Sequence, residues 1–223
     1  MIPAMLSLLN RVRRSARQAI RLGVGGAWCL PGLAAPAVHA APVKNTITVT
    51  TNYYFVTGTT AAGIYQSLQQ ARPWRWTSGH DAQTLWDTRH HFTFQQTDGR
   101  YAATGFELKT KVRVTLPFWQ MPKDASPDLR QRWLDYVRNL YVHEQGHLDL
   151  TRQAVAGWEQ RLGALGDFAS AHELRSAIGQ VGSNVLARVR RQEADYDAKT
   201  QHGVTQGAVF RIEAPTAPPR DRP

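Results

Sequence analysis

Between Ser126 and Gly163 apolar side chains recur every three to four positions, at Leu129, Trp133, Val137, Leu140 and Tyr141, and the spacing holds as far as Trp158. A period of 3.6 predicts one long amphipathic helix. Ser126 can cap its free N–H groups, Pro127 is welcome in the first turn, and Gly163 and Gly166 break the pattern. A second run, from about Ser170 to Lys199, carries Leu174, Ile178, Val181, Val185 and Val189 on one face. The short connection between the two predicts an antiparallel helix pair.

Upstream the period changes to two. Thr46 to Val56 is rich in β-branched and aromatic residues and predicts a first strand. A short helix over Ala61 to Ala71 follows from Ile64, Tyr65 and Leu68, with Pro73 as its stop. Trp74, Trp76 and Trp86 then fall in a loop-like stretch with Gly79 and His80. Arg89 to Thr97 alternates around Phe92 and Phe94, Asp98-Gly99 is a hairpin turn, and Tyr101 to Leu116 returns with Gly105 as a bulge position and Pro117 as its end. The expected class is α+β, a small antiparallel sheet of about three strands packed with two long helices.

The first forty residues read differently. Arg11, Arg13, Arg14, Arg17 and Arg21 precede an apolar run from Leu22 to Leu33, and Val38-His39-Ala40 supplies small residues for signal peptidase. This predicts a signal peptide over 1–40, a domain over 41–212, a disordered Pro- and charge-rich tail over 213–223, and a periplasmic or secreted location. An uncleaved anchor is disfavoured, because the run is shorter than about 20 residues and broken by Gly25, Gly26 and Pro31. No stable membrane insertion is expected after cleavage. The single cysteine, Cys29, lies in the leader, so the mature chain has no thiol and no disulfide. Removing five of 27 basic residues leaves 22 against 17 acids, an excess of five without a basic block. Nucleic acid is not an expected partner. Oligomeric state is left open.

The chemistry concentrates in His143-Glu144-Gln145-Gly146-His147. Residues four apart on a helix project from one face, so His143 and His147 can share one zinc ion. Glu144, one step round, can reach a zinc-activated water as general base and return its proton to the leaving amine. The ordinary alternative is a helix with two surface histidines and a solvated glutamate. A catalytic site needs a third protein ligand. The metzincin pattern is absent, since Leu150 and Gln153 stand where it needs glycine and histidine. Glu159, about 18 Å along the helix, is too far.

The third ligand is therefore expected from the second helix or beyond, among Glu173, Glu193, Asp195, Asp197 and His202. His202 leads, because a histidine beside glycine just past a helix end can fold back; Asp197 and Glu193 follow. Glu173 sits toward the far end of an antiparallel pair. Tyr196 or Tyr141 can steady an oxyanion, although packing is the more ordinary role for both. Asp149 points elsewhere on the helix, and His80, His90 and His91 read as separate surface histidines.

VHEQGHLDL on the helix, Leu116-Pro117-Phe118-Trp119 and the late YDAKTQHGVTQG resemble an uncharacterised family of predicted secreted bacterial zinc-dependent proteases, a domain of unknown function, over about Thr46 to Gly207. The resemblance implies a zincin-like fold, zinc on His143 and His147, and Glu144 as catalytic residue. It marks Tyr196, Asp197, Thr200, His202 and Gly203 as a second signature. The expectation is an exported zinc peptidase that hydrolyses amide bonds in a protein, peptide or peptidoglycan substrate. The alternatives are a non-catalytic zincin-like domain that binds an envelope partner, or a peptidoglycan amide hydrolase.

Overall fold

The computed structural model describes residues 40–74 and 80–213. The expected leader (apart from Ala40), Trp76 and Gly79, and the tail from Ala214 onward lie outside these residues. In chain order the elements are β1 (Val43–Val56), α1 (Ala61–Ala71), β2 (Gln83–Thr97), β3 (Arg100–Trp119), α2 (Pro127–Gly163), β4 (Asp167–Phe168) and α3 (Ala171–Thr200), closed by a 3-10 turn, Val204–Gln206. No helix among them is long and apolar enough to cross a membrane.

The class is α+β, with a four-stranded open sheet packed against helices. The sheet is mixed, which corrects the all-antiparallel expectation. β3 is central, pairing antiparallel with β2 and parallel with β1, from Val43↔Phe106 to Val56↔Trp119. A tight turn can join only antiparallel neighbours. Here α1 and β2 intervene between β1 and β3, which lets β1 enter in the same direction as β3.

The β2–β3 turn is as expected: Asp98 and Gly99 both have positive φ, 50° and 77°, the conformation a two-residue hairpin needs. Thr93 pairs with Gly105 and Phe94 with Ala103, leaving Thr104 as the extra residue of a bulge. β3 runs past Pro117 to Trp119, contrary to expectation. β2 has already stopped opposite Thr115, so Pro117 lies where β3 has only β1 to satisfy. Trp86 belongs to β2, which begins six residues before Arg89. β4 adds a two-residue rung on Tyr101 and Ala102.

Both long helices start on serine caps. Ser126 Oγ accepts from Leu129 N at 3.2 Å, and Ser170 Oγ accepts from Glu173 N at 3.2 Å. Glu173 reaches back past the cap and accepts from Ala169 N at 3.1 Å, so this candidate ligand is occupied at the wrong end of α3. The helices run antiparallel: Trp158 of α2 faces Gly182 of α3, and His143 faces Tyr196. Phe106 and Leu108 of β3 meet Val155, Trp158, Leu162, Leu174, Ile178 and Val185 in the core. Burial at about 1.5–3 kcal/mol for each large side chain holds the helix pair on the inner face of the sheet. A second cluster joins Trp119, Trp133, Tyr136 and Phe210 near the start of α2. The first part of α2 is thus fixed from both sides, and the next two turns carry the histidines.

Candidate metal centre

Helical spacing puts the His143 and His147 rings 5.0 Å apart, on the side of α2 that faces α3. Asp197, on the last turn of α3, comes between them. Its Oδ1 is 3.3 Å from His143 Nε2 and 3.0 Å from His147 Nε2. These three donors form the one such group among the described residues, all mutually within 4.8 Å. Ligand atoms 2.0–2.1 Å from a tetrahedral ion stand about 3.3 Å apart, so two nitrogens and a carboxylate oxygen at these separations suit a divalent cation. The group can bind a metal ion.

The imidazole of His143 is prepared for that role. Gln206 Nε2 donates to Tyr196 Oη at 3.2 Å, which turns the Gln206 carbonyl toward His143 Nδ1, 3.0 Å away. With Nδ1–H donated to that carbonyl, the Nε2 lone pair is left for the ion. Burial also pushes the pKa of His143 down, favouring the neutral ring a metal requires, although the Gln206 contact opposes this. Tyr196 lies parallel to the His143 ring at 5.1 Å and donates its hydroxyl to the His143 carbonyl at 3.1 Å. It orients the ligand helix, the packing alternative of its two expected roles.

The loop after α3 makes this closure. Gln201, His202 and Gly203 have successive positive φ values of 49°, 54° and 86°, reversing the chain so that Gln206 returns over His143. Gly203 is required there, since a Cβ would lie 2.8 Å from Ala208 Cβ and 3.1 Å from His143 Cγ. Thr200 Oγ1 accepts from Gly203 N at 3.3 Å and pins the turn.

The same reversal leaves Asp197, rather than the expected third ligand His202, grouped with the two histidines. α3 continues to Thr200, which keeps Asp197 on its inner face, while the left-handed turn carries His202 to the cleft wall. The His202 side chain is 48 % exposed, its Nδ1 is 3.5 Å from the other Asp197 oxygen, and its ring lies 4.0 Å from that of His80. Glu193 lies one turn before Asp197 and accepts from Trp86 Nε1 at 2.9 Å. Asp195 is exposed and Asp149 pairs with Arg152.

Glu144 is 3 % exposed. Burial pushes its pKa up to about 7, against the opposing effect of Thr84 Oγ1, which donates to Oε2 at 2.6 Å. Thr84, at the start of β2, carried no signal in the sequence; a polar residue in a strand is unremarkable until its partner is known. Asp81 was missed too. Arg72 and Tyr136 hold its carboxylate at 3.4 and 2.9 Å, and Tyr54 Oη donates to its carbonyl at 2.7 Å, anchoring the segment that carries His80. Gly146 was a legible signal left unread. A Cβ there would collide with the Tyr196 phenol, so the glycine inside the motif makes room for a side chain of α3 against α2.

His143, Glu144, His147 and Asp197 all line one cleft of about 520 Å³, together with Thr84, Glu193, Val209 and Phe210. No curated protein and no solved structure matches the chain. A family model described as "Bacterial protein of unknown function (DUF922)" matches residues 51–203, a span that runs from β1 through both histidines and Glu144 to the glycine packed on His143. His143, Glu144, His147 and Asp197 therefore fall inside one family domain, and the chain belongs to that family.

Proposed function

We propose that this protein is an exported zinc-dependent peptidase that hydrolyses amide bonds, with His143, His147 and Asp197 as metal ligands and Glu144 as general base. The observation that carries the reading is the meeting of three neutral or anionic donors with a buried carboxyl group that has no part in holding the metal. A purely structural site has no use for that carboxyl group, and burying it costs stability. When bound, zinc would supply a Lewis acid for the amide carbonyl and for water.

The chain's own residues supply the rest. Glu144 takes the proton of the attacking water and delivers it to the departing amine nitrogen, a task suited to a group that titrates near neutrality. Thr84 engages Oε2, so the proton is carried on the other carboxylate oxygen. Gln206 and Tyr196 keep His143 in one tautomer and one orientation. The apolar and polar walls of the cleft position an extended substrate across the carboxyl group. Export rests on the leader-like pattern of residues 1–40.

The test is metal content and hydrolysis of a fluorogenic peptide mixture by the wild type and Glu144→Gln. Both should hold one zinc per chain, and the variant should lose at least about a hundredfold in activity. Full activity in the variant would remove Glu144 as base.

A further inference from the structure

Among the described residues, the helices cover one face of the sheet and leave the other exposed along Lys44–Thr50 of β1, Glu107–Arg113 of β3 and Leu85–His91 of β2, while Tyr54, Val56 and Trp119 further along that side are buried. On the open face β3 presents Lys109, Lys111 and Arg113. The register sets Thr46, Thr48 and Thr50 of β1 beside them on one side, and Arg89, Asp87 and Leu85 of β2 on the other. Lys44, Glu107 and His91 form the next row. The face thus holds five cations (Lys44, Arg89, Lys109, Lys111, Arg113) and two carboxylates (Asp87, Glu107), a net of three. Residues 41–223 carry a net of 22 − 17 = +5, so this face holds most of the excess.

We propose that this open face binds a linear, base-free polyphosphodiester laid along β3. Alternate residues on a strand repeat about every 6.7 Å, so the three central cations form a row that an extended phosphate chain can follow. The neighbouring threonine hydroxyls add neutral donors for phosphate oxygens. Glu107 is already engaged by Lys109 at 2.8 Å, and an exposed pair of this kind opens at little cost. Asp87, opposite Lys111, is the one remaining acid in the field.

The composition of the face selects this occupant. No Phe, Tyr or Trp stands among its exposed residues, so bases have nothing to stack on and a single-stranded nucleic acid gains little beyond its phosphates. Leu85 is its one large exposed apolar side chain, too little for insertion between lipids. The surface is also separate from the cleft, since none of its residues lines it. The inference stands whether or not the chain is a peptidase.

The experiment measures binding of the full-length protein to poly(glycerol phosphate), with single-stranded DNA and anionic phospholipid vesicles as parallel arms. Three phosphate contacts predict a log–log salt slope near about −2, or about sixteenfold weaker binding from 50 to 200 mM salt. Lys109→Gln/Lys111→Gln/Arg113→Gln should lose at least tenfold. Arg188→Gln/Arg190→Gln/Arg191→Gln, the same charge change on exposed positions of α3, should lose less than twofold. Unchanged metal binding certifies folding, and Lys111→Gln alone, expected to lose about half a log unit, serves if the triple variant misfolds. Equal losses in the two triple variants, no polymer binding at 50 mM salt, or tighter binding of DNA or vesicles would each overturn the proposal.

Discussion

Gly146→Ala tests whether the approach of α3 to the motif helix builds the metal centre. An alanine inside a helix is ordinarily about 1 kcal/mol more stable than a glycine. Gly179, in α3, shows the simple case: nothing lies within 4 Å of its added Cβ. Gly179→Ala should therefore gain up to about 1 kcal/mol and raise Tm by about 2–4 °C. At Gly146 the same Cβ would lie 2.2 Å from Tyr196 Oη, 2.3 Å from Cζ and 2.8 Å from Cε1. Tyr196 must retreat by more than an ångström, giving up its bond to the His143 carbonyl and its place against the His143 ring. Overpacking of this kind costs about 1–3 kcal/mol. The two alanine variants share the helix-propensity gain, so Gly146→Ala should be about 1–3 kcal/mol less stable than Gly179→Ala.

The loss should also reach the metal, because Asp197 is the next residue after Tyr196 and His143 is held by it. Disturbing groups that orient ligands typically weakens metal binding about 10–100-fold. Urea unfolding of the metal-free variants measures the first effect and zinc titration against a competing chelator the second. If Gly146→Ala gains as much as Gly179→Ala and binds zinc as tightly as the wild type, the close approach is incidental and the account of the centre is wrong.

Two further outcomes follow from the same geometry. Glu144 has a folded pKa of about 7 against an ordinary 4.5, so the native state holds its proton more tightly than the unfolded chain. In the metal-free protein, stability should be unaffected by this group below pH 4.5, fall as pH rises toward 7 and stay low above, by at most about 3 kcal/mol. Glu144→Gln should therefore be more stable than the wild type at pH 8 but not at pH 4; an equal difference at both, in urea melts, would refute the burial argument. Among the ligands, Asp197→Asn should weaken zinc binding by more than about a hundredfold, whereas His202→Asn should change it less than about tenfold, as chelator competition will read. The reverse ranking would restore His202 as the third ligand.

What could be read from the sequence was whatever depends on neighbours along the chain. Ser126 and Ser170 cap their helices, Asp98-Gly99 turns the hairpin, and α1 occupies the expected Ala61–Ala71, because each follows from a few adjacent residues. The parallel pairing of β1 with β3 could not be read this way, since strand alternation shows which face a residue takes but not which strand lies beside it. The third ligand falls between these cases. Asp197 and His202 are five residues apart, and which of them meets His143 depends on where α3 stops and which way the chain leaves. The exit uses left-handed conformations at Gln201 and His202, two residues with side chains that ordinarily avoid them at about 1–2 kcal/mol each. Local preference favours a turn at Gly203 alone. Of the bonds that override it, Gly203 to Thr200 is local, whereas Gln206 to His143 forms only when the helix pair is in place. Which donor joins the two histidines is thus a property of the packed helices, and the glycine at 146 that makes room for Tyr196 is the nearest thing to a local sign of it.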